Sequence, residues 1–210
     1  MPPRPLTQFE QNYANQVVAN GTQNGCEYAA YLESPSGPLI ICTTSNSTQM
    51  VDTPPSVHSA ITARIPVVVH HNHLSQQSLS DDDWYGLSNG IAETFAHCAD
   101  GTVYWGTVVV KAEVLKLCYD QKTQMDADNT WSKYAPQHMS NDPLWNWIFG
   151  FYGREVLNRA MQLQGLVKYG YSWGSKPITR HQAVSGSAGL TGQQLDHLIN
   201  QAAAEFAKTL

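Results

Sequence analysis

The chain has 210 residues, 42% hydrophobic, 10% aromatic and 14% charged, with 12 Lys and Arg against 17 Asp and Glu for a formal net charge of -5. That length and composition suit a folded domain with a real core and set intrinsic disorder aside. The basic residues are scattered, with no run to neutralise a phosphate backbone, so no nucleic acid is expected as a partner.

In chain order, "PLTQFEQNYANQVVANGTQNG" predicts a first helix, because Phe9, Tyr13, Val17 and Val18 recur at helical spacing before Gly-rich punctuation. "CEYAAYLE" and "LIICTTSN" flank the turn-rich "SPSGP" and predict two antiparallel strands. "RIPVVVHH" is an apolar, β-branched run of the kind buried on both faces of a sheet. Asp82 to Cys98 reads as a helix with Trp84, Leu87, Ile91 and Phe95 on one stripe and Ser80 as its N-cap. Asp100 and Gly101 end that segment, and "TVYWGTVVVKAEVLKLCYD" predicts one or two further strands.

Beyond residue 122 the texture becomes aromatic-rich and mainly helical, closing on "TGQQLDHLINQAAAEFAKTL". The expected fold class is mixed α/β (α+β): a core over residues 1–122, and a helical extension over 123–210 packed on it. Trp145, Trp147, Phe149, Phe151 and Tyr152 are assigned to core packing rather than to a binding groove. No internal repeat is visible. The longest apolar runs, such as Ile65 to Val69, are far too short to cross a bilayer, so no membrane is expected. "MPPRPLTQFEQNYANQ" lacks the apolar centre of a signal peptide, which predicts a cytoplasmic protein or one delivered as an effector without Sec export. Cys26, Cys42, Cys98 and Cys118 are too widely spaced for a disulfide framework or a zinc pair and read as mostly buried thiols.

Chemistry concentrates in "VVVHHNHLSQQSLSDDDW". His71 and His73 are two apart after a buried strand, so on extended backbone both imidazoles project to one face. His70 points to the opposite face, where a packed or solvated role is expected. If a helix starts near Ser80, Asp83 lies on its first turn and faces back toward the strand end. Two imidazoles and one carboxylate make a three-ligand zinc site with the fourth position left to water. Such a site needs a base not committed to the metal. Glu27, where the first strand begins, is the candidate; Glu33, at that strand's exposed end, is the weaker choice. Ser80 is placed to direct its hydroxyl at an oxyanion.

This pattern, Glu27, then "HNH" at 71–73, then "SDDD" at 80–83, resembles the JAMM or MPN+ (JAB) zinc metallopeptidases. The resemblance spans roughly residues 8–120 and leaves the tail unmatched. It departs from the family in two places: six residues separate His73 from Ser80 where seven are usual, and Leu74 stands where a proline is common. The resemblance implies a JAB/MPN-like mixed sheet flanked by helices, with zinc on His71, His73 and Asp83, Glu27 as general base and acid, and Ser80 stabilising the tetrahedral intermediate. It implies an isopeptide or peptide bond as substrate, often at the tail of ubiquitin or a ubiquitin-like protein; bacterial members also occur as effector or toxin modules.

Rival readings rest on the same stretch. An HNH-type nuclease would use "HHNH" with Asn89 and His97, but Asn89 falls in a helical stretch and basic residues for DNA are lacking nearby. A catalytically inactive binding module on the same fold would lose the metal, against the intact HxH and Asp83. A strand end running into a capped helix would explain Asp81 and Asp82 but not the rest. His58, in a loop before the histidine strand, and Arg180 with His181, in a solvated polar tail, are not assigned a role; "HCADG" reads as a turn.

Overall fold

Local sequence signals set the first elements. Helix α1 (Gln8–Asn24) opens on a capping box in which the Thr7 hydroxyl accepts from the Glu10 amide and the Glu10 carboxylate accepts from the Thr7 amide. It closes at Gly25, which takes the left-handed conformation at φ 66°. Strands β1 (Ala29–Glu33) and β2 (Leu39–Thr43) pair antiparallel across the "SPSGP" turn, as expected. Helix α2 (Pro55–Thr62) precedes β3 (Val67–His73), in which every residue is buried. The computed structural model describes residues 2–139, 145–175 and 179–210.

The segment from 81 to 119 differs from its expectation. Helix α3 (Asp81–Ser88) stops at Asn89 and Gly90, and Ile91–Cys98 is strand β4 rather than a continued helix. Gly90 lies at φ 117°, outside the range a helix propagates through. Trp84 and Leu87 do share the buried side of α3, but Ile91 and Phe95 pack on different apolar clusters, Phe95 with Val68 and Trp105 and Ile91 beside Val67 and Val69. A register irregularity opposite Val67 and Val68 breaks the parity between them. Strand β5 (Val103–Val108) returns through Asp100 and Gly101, but Lys111–Tyr119 is helix α4 rather than a second strand.

Helices α5 (Gln121–Tyr134), α6 (Trp145–Leu163), α7 (Arg180–Ser187) and α8 (Gly192–Phe206) make the C-terminal region mainly helical. That region also supplies β6 (Val167–Ser172), which pairs antiparallel with β5. The side chains of Trp145, Trp147 and Phe149 lie outside the described residues; Phe151 and Tyr152 are buried in the core. The fold is mixed α/β, and among the described residues the sheet has six strands in the order β2-β1-β3-β4-β5-β6. The pair β3 and β4 is parallel and its neighbours are antiparallel.

Strand period two sorts side chains to the two faces. Val68, Phe95 and Trp105 share the face covered by α1. Val67, Val69, Ala29 and Tyr31 share the other with Val57 and Ala60 of α2. Further along the sheet, Ala96, Cys98 and Tyr104 join Leu79, Trp84 and the apolar sides of α5, α6 and α8 in the largest core. All four cysteines are free thiols, Cys26 and Cys98 buried. No helix among the described residues is long and apolar enough to cross a membrane.

A Cβ added at Gly90 would sit 2.4 Å from Ile61 Cγ2, in a backbone conformation that side chains rarely adopt. Gly90→Ala is expected to destabilise the protein by about 1–3 kcal/mol, read as a lower urea midpoint at unchanged slope.

Candidate metal centre

The centre forms at the C-terminal end of β3, where the chain leaves the sheet and enters α3. His71 and His73 leave the strand on one face, Nε2 to Nε2 2.9 Å apart. Asp83 reaches them from the first turn of α3, with Oδ1 3.0 Å from His71 Nε2 and Oδ2 3.4 Å from His73 Nε2. The three donor atoms all lie within 4.8 Å of one another, so His71, His73 and Asp83 together could hold a metal ion. His73 Nδ1 donates to the Gln77 carbonyl at 2.8 Å. A carbonyl only accepts, so Nδ1 carries a proton and Nε2 is the nitrogen left for a ligand bond.

Ser80 is the N-cap of α3, as expected, and its amide and hydroxyl are both turned on Asp83. Its amide and hydroxyl both donate to Asp83 Oδ2, at 2.6 and 2.7 Å, and the hydroxyl accepts from the Asp83 amide at 3.2 Å. This box fixes the carboxylate with Oδ1 facing His71. Service to an oxyanion requires the Ser80 hydroxyl to turn from Asp83 into the cleft. Asp81 pairs with Arg154 at 3.1 Å on the outside of the helix.

Glu27 lies two residues before β1, buried at 6% exposure. Burial pushes its carboxyl above the usual range, against the pull of His73 and His71. The carboxylate accepts from the Leu74 amide; a proline at 74 would have no N–H to give. Glu33 is half-buried, and its amide bonds the Pro38 carbonyl at the turn. The segment carrying Glu27 is tied to β3 by Asn72, whose side chain accepts from the Tyr28 amide at 2.7 Å and donates to the Cys26 carbonyl at 3.4 Å. Gly21 of α1 makes room for it: a Cβ there would lie 2.1 Å from Asn72 Nδ2. Asn72 was not singled out from the sequence, although a polar residue inside a strand buried on both faces is the signal that finds it.

A cleft of about 600 Å³ opens over the centre. Glu27, His71, His73, Ser80 and Asp83 line its floor, while Tyr31, Met50, Val51, Ile61 and Tyr85 give it apolar walls. His58 also lines it, from α2 rather than from a loop.

The remaining histidines fall elsewhere. His70 is buried on the α1 side, as the strand period requires, with Nδ1 3.0 Å from His97 Nε2 and Nε2 3.4 Å from Glu10 Oε1. Burial holds both imidazoles below the usual histidine range. His97 is therefore on a strand, on the face away from His71 and His73. His181 is in helix α7 rather than in a solvated loop: it is buried, stacked on Trp173 at 4.1 Å between ring centroids, and bonded to the Tyr152 hydroxyl and the Gly192 carbonyl.

No family model matches the chain, and no curated protein or solved structure matches it.

Burial works against an imidazolium at His73, but Asp83 and Glu27 outweigh it and raise the group to about 9. Burial likewise works against the Asp83 carboxylate, and His71 and His73 outweigh it, holding the group well below its usual range. In the metal-free protein the raised His73 stabilises fully below its ordinary value of 6.5 and loses that contribution as pH rises through about 9. The depressed Asp83 stabilises above its ordinary 3.8 and loses that contribution as pH falls. Metal must displace the His73 proton from Nε2, so its binding strengthens as pH rises. The gap in Tm between metal-loaded and metal-free protein is therefore expected to widen from pH 6.5 to 9, and to vanish in His73→Ala; thermal scans across that range check both.

Proposed function

We propose that the protein is a zinc-dependent hydrolase that cleaves an amide bond, of the JAMM type its sequence resembles. The observation carrying this reading is that one cleft joins two imidazoles and a carboxylate, able to hold one ion, to a separate buried carboxylate, Glu27. Two nitrogen donors with one oxygen favour zinc over magnesium or calcium, which take oxygen ligands. Zinc, when bound, brings the pKa of water toward neutrality and polarises a carbonyl.

The chain's own groups supply the rest. Glu27, raised by burial and oriented by the Leu74 amide, takes a proton from the attacking water and passes it to the leaving amine. Ser80 fixes Asp83 and, after turning, donates to the oxyanion. Tyr31, Met50, Val51, Ile61 and Tyr85 exclude water and receive the residues flanking the amide. The substrate is a protein or peptide, with a main-chain or lysine amine as leaving group; the resemblance points to the tail of ubiquitin or a ubiquitin-like protein. The nuclease reading finds less support, because His97 sits on β4 against His70 rather than on a helix beside the cleft.

Glu27→Gln is expected to keep one zinc per chain while hydrolysis of ubiquitin chains or peptides falls by about 10²- to 10⁴-fold. His71→Ala and Asp83→Ala are expected to lose the metal. Metal analysis beside a cleavage assay separates the two classes; full activity in Glu27→Gln sinks the mechanism.

A further inference from the structure

The candidate ligands are separated by a loop, residues 74–79, whose shape decides where the Gln77 carbonyl meets His73. Within itself the loop has little to hold it: Gln76 sits in the left-handed region at φ 60°, and its amide reaches the His73 carbonyl at a long 3.3 Å. Because the acceptor for His73 Nδ1 is main chain, no side chain at 77 supplies it. The backbone must be held from outside.

The holding groups come from the C-terminal half. Asn158, on α6 and 1% exposed, donates through Nδ2 to Ser78 Oγ at 2.8 Å and to the Leu79 carbonyl at 2.9 Å. Ser78 Oγ lies 2.6 Å from the hydroxyl of Tyr169 on β6, which donates to Glu155 Oε2 at 2.6 Å. Since Ser78 receives a proton from Asn158 and Tyr169 gives its own to Glu155, the Ser78 hydroxyl is the donor to Tyr169. Asn158 is itself oriented, because Trp84 Nε1 donates to its Oδ1 at 2.8 Å. Trp84 follows Asp83 directly, so one asparagine grips both sides of the turn that joins the loop to the carboxylate ligand. The Tyr104 hydroxyl and Arg180 bond the Gln76 and Ser75 carbonyls at 3.1 and 2.9 Å.

We infer that Asn158 and Tyr169 are positioning residues of the metal centre, acting through Ser78 and Leu79 to set the Gln77 carbonyl against His73 Nδ1. The inference rests on the zinc reading of His71, His73 and Asp83, and it gives the region beyond residue 122 a part in that site. Outer-shell partners of a ligating histidine are worth about 10- to 100-fold in metal affinity, and these groups stand one bond further out.

The test uses the whole 210-residue chain and zinc alone, with the Kd read by chelator competition on chain that remains folded, and the cobalt-substituted absorption spectrum as a second readout. Tyr169→Phe, which removes one hydroxyl, and Asn158→Ala are expected to raise the Kd about 10-fold and to shift the cobalt bands. Tyr134→Phe removes a comparable hydroxyl bond, 2.6 Å to Glu205, away from the loop, and is expected to leave both unchanged. If wild-type protein binds zinc and Tyr169→Phe, folded, matches it in Kd and spectrum, the positioning role is overturned while the zinc reading stands. If wild-type protein binds no zinc, the zinc reading falls first, and the inference with it.

Discussion

A central strand that buries polar side chains on both faces governs much of this molecule. His70, His71, Asn72 and His73 follow one another in β3, none more than 7% exposed. Each unsatisfied buried polar group costs about 1–3 kcal/mol, so neighbouring elements must answer all four. On one face Glu10 of α1 comes within 3.4 Å of His70 Nε2, His97 meets His70 Nδ1, and the backbone of Cys26 and Tyr28 bonds Asn72, for which Gly21 makes room. On the other face the first turn of α3 brings Asp83 to both remaining imidazoles. The same alternation that divides the histidines also couples the faces: Asn72, pointing away from the centre, ties down the segment that delivers Glu27 to it.

Electrostatics then separates two carboxylates by their surroundings. Asp83 lies against two imidazoles and is held ionised, while Glu27, facing the same pair from a desolvated position, is pushed the other way. A firmly charged carboxylate beside one nearer its titration range is the division of labour that the proposed ligand and proton carrier require. Leu74 tempers it, because its amide favours the ionised form of Glu27, and a proline at 74 would have no N–H to give.

Much of the centre was legible because its signals are local. The spacing of His71 and His73, the cap at Ser80 and the phase of Asp83 each follow from strand or helix period within a dozen residues. The longer helix read over Asp82 to Cys98 failed for an equally physical reason: Trp84, Leu87, Ile91 and Phe95 continue a helical stripe, but Gly90 takes a φ of 117° and the chain changes period in mid-pattern. Strand β6 stayed hidden inside a Gly-, Ser- and Trp-rich stretch, and it forms by pairing with β5, some sixty residues upstream. His181 looked solvated because its neighbours in sequence are polar, whereas its ring is covered by Trp173. The bonds from Asn158 and Tyr169 to the loop join residues 79 to 91 apart in sequence, and no spacing rule reaches that far.

The grip of α6 and β6 on residues 78 and 79 also has a meaning in time. A growing chain carries all three candidate ligands once Asp83 is made, yet Asn158 and Tyr169, which hold Ser78 and Leu79, arrive only with α6 and β6. Contacts of such long sequence separation close late, because their loop entropy must be met first. The centre therefore reaches its geometry only as the C-terminal half docks, and an ion that binds it stabilises the finished fold rather than the N-terminal half alone.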